Sequence, residues 1–312
     1  MVIFEGFVEK IPILFDFLDL GKNITRNDKK IVKINKMHTN FLYMKYIKNC
    51  SLIILVILYY LSYLYEKKSF TSTFLCSKKS LVDEILNFKS YSQFFEDLIL
   101  FCIFYDIENG FYIDIGANDP NDLSVTKAFY LRGWNGINLE PLPDKYDRLI
   151  KERPRDINLK IGVGKSKGNS TLYIFGTCST MKRQYALDLN KTININIDTL
   201  TNIYEEYNIN KFEIQFCKID VEGGEENVLL GNNWHKCRPK IFVIESTAPL
   251  TSRPTYSSWE YILLNNDYSF VYQYSINRYY IDNNHPELKN RLINIDNYIE
   301  LYKKKNPKKS KN

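Results

Sequence analysis

The chain has 312 residues, 45% of them hydrophobic and 15% aromatic, enough for one large domain with extensions. Its net charge of +6 sits in the first third and the tail while the centre is near balance, which argues against a nucleic-acid-binding surface. Six cysteines without a Cys-x-x-Cys pair, with three scattered histidines, argue against a zinc site and a disulfide framework, so no metal is expected.

Residues 1–46 read as a basic N-terminal extension, with an apolar stretch from Ile11 to Leu20 and a basic one from Lys22 to Lys36. Residues 47–65 read as a single transmembrane helix. Cys50 to Tyr65 carries no charge and is bracketed by lysines, and with Ile47 and Asn49 it nears the spanning limit of about 17 residues. A buried core helix is the alternative, and a signal peptide is a third reading if translation starts at Met37 or Met44. Residues 66–90 read as a linker into a domain spanning 91–285, followed by a C-terminal helix and basic tail over 286–312.

Within that domain, apolar runs and turn residues alternate. Ser92 is the expected N-cap of a helix through Phe104. Strands are predicted at Phe111–Ile115, Gly136–Glu140, Ile157–Val163, Gln215–Val221 and Lys240–Glu245, and helices at Ser124–Arg132, Pro143–Glu152, from Glu225 and at Ser257–Asn265. Ser170–Phe175 reads as a strand of an inserted hairpin. Phe270–Tyr274 and Arg278–Asp282 have the period-two pattern of a terminal hairpin. The alternation predicts an α/β fold built on a doubly wound, mostly parallel sheet.

One unit carries most of the chemistry. Phe111-Tyr-Ile-Asp-Ile-Gly-Ala-Asn118 is an apolar run ending in an acid and a glycine, and Ile137-Asn-Leu-Glu140 is a second run ending in a carboxylate. In a strand–turn–helix–strand unit that spacing puts a tight turn and a ribose-binding acid at neighbouring strand ends. The turn is not Gly-x-Gly-x-x-Gly, since only Gly116 is present. Asp114-Ile-Gly116-Ala117-Asn118 suits S-adenosylmethionine (SAM), which has no pyrophosphate for a glycine-rich loop to cradle.

The region from Tyr91 to Asp282 resembles the FkbM family of SAM-dependent methyltransferases. The matching pieces are Ser92-Gln93 with Glu96-Asp97, Tyr112 to Pro120, Ser124-Val-Thr126, Gly133 to Pro141, Arg153-Pro154, and Lys218-Ile-Asp-Val-Glu-Gly-Gly-Glu225. The resemblance implies a class I methyltransferase (Rossmann-like) fold with a terminal antiparallel hairpin, and O-methylation of a hydroxyl on a glycan-like or small-molecule acceptor. Two positions depart from it. Phe95 stands where the family commonly has glycine, and Lys160-Ile-Gly-Val-Gly164 replaces an Asn-x-Ala-x-Gly pattern.

The expected cofactor contacts are Asp114, Gly116, Ala117, Asn118, Glu140 and Pro141. Gly116 permits close backbone approach, Glu140 accepts from ribose hydroxyls, and Pro141 fixes the strand exit. Asp220 and Glu222 are the expected catalytic acids, one of them a base for the acceptor hydroxyl. If the strand continues to Glu222 they share a face; if it breaks at Asp220 they diverge. Glu245 ends the next strand and is placed to contact substrate. Glu96 and Asp97 either close over the cofactor or are solvated helix charge. The rival functions are a nicotinamide oxidoreductase, disfavoured by Asn118-Asp119-Pro120, and an inactive, membrane-tethered binding protein on the same scaffold. The expected location is a membrane, with a lean toward a cytoplasmic catalytic domain because SAM is made there.

The transmembrane reading is testable. A lysine pair introduced near Val56 should oppose insertion by about 2.5–3.5 kcal/mol per charge and release the protein from carbonate-washed membranes with SAM binding intact. Unfolding of the catalytic domain by that change, with wild type already soluble, would make the segment a core helix.

Overall fold

The computed structural model describes residues 81–307. The expected membrane segment 47–65 lies outside them. Among the described residues no helix is long and apolar enough to cross a membrane. Residues 81–87, assigned to the linker from sequence, are helical, and Leu81 and Ile85 are buried against the domain core.

The first element of the α/β core is helix α1, Glu96–Phe104, and all nine of its residues are buried. A helix apolar on every side belongs inside a protein. It is followed by β1 (Phe111–Ile115), α2 (Lys127–Leu131), β2 (Asn135–Leu139), α3 (Pro143–Glu152), β3 (Ile157–Leu159) and β4 (Gly162–Val163). Next come β5 (Gly168–Tyr173), β6 (Thr192–Asp198), α4 (Leu200–Glu206), β7 (Ile214–Ile219), α5 (Glu225–Leu230) and β8 (Ile241–Glu245). The chain closes with α6 (Glu260–Leu264), β9 (Tyr268–Tyr274), β10 (Asn277–Asp282), α7 (Glu287–Arg291) and α8 (Ile295–Lys305).

Seven strands form one sheet in the order β3-β2-β1-β7-β8-β10-β9, parallel through β8, with β10 antiparallel to both its neighbours. The predicted terminal hairpin is therefore present. Strands β1, β7 and β8 are buried throughout, as mostly apolar central parallel strands are. Alternate side chains face two separate cores. Tyr112, Phe216 and Val243 pack on α1 and α8; Ile113, Ile115, Cys217 and Ile244 pack on α4, α5 and α6.

Two local readings change. The predicted strand Ile157–Val163 is two strands in two sheets, because β3 pairs with β2 whereas β4 pairs with β6. The chain crosses at Lys160–Ile161, and Gly162 allows it, since a Cβ there would sit 2.6 Å from Ile197 Cδ1. The small sheet β4-β6-β5 contains the predicted strand near Ser170, paired antiparallel to β6. Ser92 is not the N-cap of α1. Phe95 occupies that position with φ 61, and Ser92 Oγ instead accepts from the Asp97 amide at 3.3 Å and donates to the Asp97 carboxylate at 2.6 Å.

Beneath the β1–α2 turn lies a buried polar network. Arg153 is fully buried, 3.8 Å from Asp156, and donates to Ser124 Oγ at 3.1 Å. Asp156 also accepts from Tyr112 Oη at 2.6 Å, Gly136 N at 2.9 Å and Asn138 Nδ2 at 3.0 Å. Removing one partner of such a pair leaves an uncompensated charge, at about 3–5 kcal/mol. Urea unfolding of Asp156→Ala and Arg153→Met should each show a loss of that order. The double variant should lose clearly less than the sum; strict additivity would mean that the two side chains do not act as a unit.

Candidate active site

The strand register builds the site. Ile115 of β1 lies beside Leu139 of β2 and Ile219 of β7, and Ile219 lies beside Ile244 of β8. The next residue along each strand direction is Glu140, Gly116, Asp220 or Glu245. These four stand in a row across the carboxyl edge of the sheet, where open α/β sheets bind ligands. A cavity of about 540 Å³ opens over the row, within the range of small-molecule sites. Its lining includes Gly116, Ala117, Asn118, Glu140, Pro141, Lys218, Asp220, Glu222 and Glu245. The inserted segment contributes Gly176–Ser179 and Met181, and Phe94 closes another side.

Gly116 adopts φ +76, and a Cβ on it would collide with the Asp220 carbonyl. The glycine is required by this contact as well as by its backbone angle. Glu140 is buried; Oε2 accepts from the Asn118 amide and Oε1 from the Leu142 amide, both at 2.8 Å. Burial raises its pKa and the two amides pull the other way. Asn118 is left-handed at φ 51, and its Oδ1 is buried without a partner.

Asp114 differs from expectation. It does not line the cavity. Its carboxylate lies below the floor, accepting from Thr126 Oγ1 at 2.8 Å and facing Lys218 Nζ at 3.6 Å. Lys218, inside a fully buried strand, also lies 3.3 Å from Asp220 and donates to the Gly116 carbonyl at 2.9 Å. Burial opposes its charge, but Asp220 and Asp114 outweigh burial and hold the ammonium above the ordinary lysine value. Sequence reasoning assigned Lys218 no role; a lone lysine in an otherwise buried run is the signal for it.

The strand ends at Ile219, before Asp220, yet the two acids do not diverge. Glu222 takes φ 53, and one oxygen from each of Asp220, Glu222 and Glu245 lies within 4.8 Å of the other two. The turn is held by Glu225, whose Oε1 accepts from Val221 N at 3.2 Å and Gly223 N at 3.1 Å. Thr180 of the insert donates to the Glu222 carbonyl at 2.7 Å. Burial first, then repulsion from Asp220 and Glu225, pushes Glu222 up to about 8. Burial pushes Glu225 up to about 7. Glu245 is also raised, by burial and then by Asp220 and Glu222.

Glu96 and Asp97 are not solvated. Asp97 accepts from the Ser90 and Ser92 hydroxyls at 2.6 Å each, and Glu96 accepts from Asn277 Nδ2 of β10 at 2.7 Å and Phe94 N at 2.8 Å. They pin the 90–95 segment beside the cavity and are not among its lining residues.

This architecture, with a cavity over the carboxyl edge of a seven-stranded mixed sheet, is that of a methyltransferase domain. Residues 114–270 match the methyltransferase FkbM domain, just over half of the 312-residue chain, and the protein belongs to that family. No curated protein matches the chain significantly.

The raised acids imply a pH dependence. In the folded chain Glu222 and Glu225 keep protons that the unfolded chain releases near 4.5. Their contribution to stability is complete below that value and is lost as pH rises through about 7 and 8. With a chelator present, the urea midpoint should fall between roughly pH 5 and pH 8. Glu225→Gln, which can still accept from the Val221 and Gly223 amides, should flatten that fall. An unchanged slope would remove Glu225 as its origin.

Proposed function

We propose that this protein is a SAM-dependent O-methyltransferase acting on a hydroxyl of a sugar, glycan or small molecule, held at a membrane by residues 47–65. The row of Glu140, Gly116, Asp220 and Glu245 over one cavity carries the reading, together with family membership.

The residues fit the cofactor. SAM presents hydroxyl and ammonium donors, and the cavity offers acceptors: the orphaned Asn118 Oδ1 and the Glu140 carboxylate, whose two amide bonds leave lone pairs free. Leu142, Ile161 and Val163 add apolar surface on the Glu140 side for an adenine ring. Gly116, Ala117 and Pro141 shape the backbone between. Asp114 acts from below, by holding Lys218 and Thr126.

Bound there, SAM supplies a methyl group on a sulfonium, an excellent leaving group. The protein's main task is then alignment and exclusion of water. Asp220, with one face toward the cavity and Lys218 at 3.3 Å behind it, orients the acceptor hydroxyl and takes its proton. Glu222, held up by the Glu225-capped turn, stands beside it. The insert and the loop carrying Leu250 to Ser252 face this acid side, so the acceptor is read by loops and the cofactor by strand ends.

Calorimetric titration should show binding of SAM and its demethylated product, and none of NAD. Glu140→Ala should weaken SAM binding by about 1.5–3 kcal/mol, the scale of hydrogen bonds to a charged group. Asp220→Asn should lower methyl transfer about 10²-fold or more with a smaller effect on SAM affinity. Full activity in a folded Asp220→Asn protein would remove Asp220 from the chemistry, and unchanged affinity in Glu140→Ala would remove Glu140 from the cofactor site.

A further inference from the structure

We propose that Asp220, Glu222 and Glu245 form a site for a divalent cation of the oxygen-ligated class, such as Mg²⁺ or Mn²⁺, in the wall of the cavity. The inference deepens the methyltransferase reading and rests on it only for what the cation does.

Three observations carry it. One carboxylate oxygen of each residue lies within 4.8 Å of the other two. Oxygens bound to one hard cation at about 2.0–2.6 Å span the same range. Second, Glu245 is only 6% exposed, and its Oε2 is buried with no hydrogen-bond partner; Glu222 Oε2 is in the same condition. Buried acceptors of this kind are normally satisfied, and a cation among the three carboxylates would supply the missing partner. Third, the local basic group is already committed. Lys218 is shared between Asp114 and Asp220, and among the described residues neither Glu222 nor Glu245 has a basic side chain within 4.0 Å.

The backbone supports the same reading. The three acids come from the end of β7, the turn after it and the end of β8. Glu222 reaches the group only through its left-handed conformation, φ 53, which costs energy in a residue with a long side chain. An all-carboxylate donor set selects hard cations over zinc or copper. Three protein ligands leave positions for water or an acceptor oxygen. A cation there would lower the pKa of a bound hydroxyl and hold its oxygen in place, with Asp220 beside it to receive the proton.

The test uses the full chain and Mn²⁺ alone, followed by loss of the free-ion electron paramagnetic resonance signal. Wild type should take up one Mn²⁺ per chain, displaced by Mg²⁺. Glu245→Gln and Glu222→Gln should each weaken uptake by roughly ten-fold or more, while Glu226→Gln, on the neighbouring helix, leaves it unchanged. Thermal unfolding establishes that each variant is folded. No uptake at millimolar Mn²⁺, or uptake that both Gln variants retain, overturns the site. SAM titration in EDTA separates the two readings. SAM binding without Mn²⁺ uptake removes the cation and keeps the methyltransferase, whereas Mn²⁺ uptake without SAM binding keeps the site and removes that reading.

Discussion

The buried ammonium of Lys218 is the constraint on which the site depends. It joins two strand ends through three contacts: the Gly116 carbonyl and Asp114 of β1, and Asp220 at the end of its own strand β7. Taking an ammonium and a carboxylate out of water costs several kcal/mol each, and their attraction repays that only with good geometry and further hydrogen bonds. The extra bonds are present. Thr126 donates to Asp114, and Arg153 lies 3.4 Å from Thr126 while anchored to Asp156. The value of the network is thus less in net stability than in register. It couples the turn proposed to carry the cofactor to the acid proposed to meet the acceptor, so neither moves without the other.

The strand-end half of this arrangement was legible in the sequence. Phe111–Ile115, Ile137–Leu139 and Ile214–Ile219 are apolar runs with an acid or glycine at their ends, and parallel pairing places those ends together. What was not legible depends on partners distant in the chain. Glu96 reads locally as an ordinary helix-start acid, yet its partner Asn277 is 181 residues away. Asp97 looks equally solvated until Ser90 and Ser92 fold back onto it. The split of Ile157–Val163 was hidden because both halves are apolar and only their strand partners differ. Glu222 was readable as a residue type but not as a position, since a left-handed glutamate is not what local preference predicts.

Phe95 shows how a departure from the family pattern is accommodated. Where the family resemblance implies glycine, this chain holds a buried phenylalanine at φ 61. The left-handed conformation costs a residue with a Cβ about 1–2 kcal/mol. Burying an aromatic ring returns about 1.5–3 kcal/mol, and the ring meets Tyr302 of α8 edge-on at 5.7 Å. The substitution therefore exchanges backbone ease for a tie between the start of α1 and the C-terminal helix. Tyr302 reinforces the tie by accepting from the Ser90 amide at 3.2 Å.

The same exchange recurs around the cavity. Asn118, Leu123, Glu222 and Leu250 are left-handed non-glycine residues, and all four line it. Strain of this kind persists only where surrounding contacts over-determine the backbone. Asn118 is held by its amide bond to Glu140, and Glu222 by the Glu225-capped turn and Thr180. The cavity is thus preorganised from two sides by different means. Strand register, with the left-handed Asn118 tied to Glu140, sets the proposed cofactor side, and strained turns tied to the insert set the acid side. In a scaffold of this construction the turns and insert can vary on the acid side of the cavity while the strand ends stay as they are.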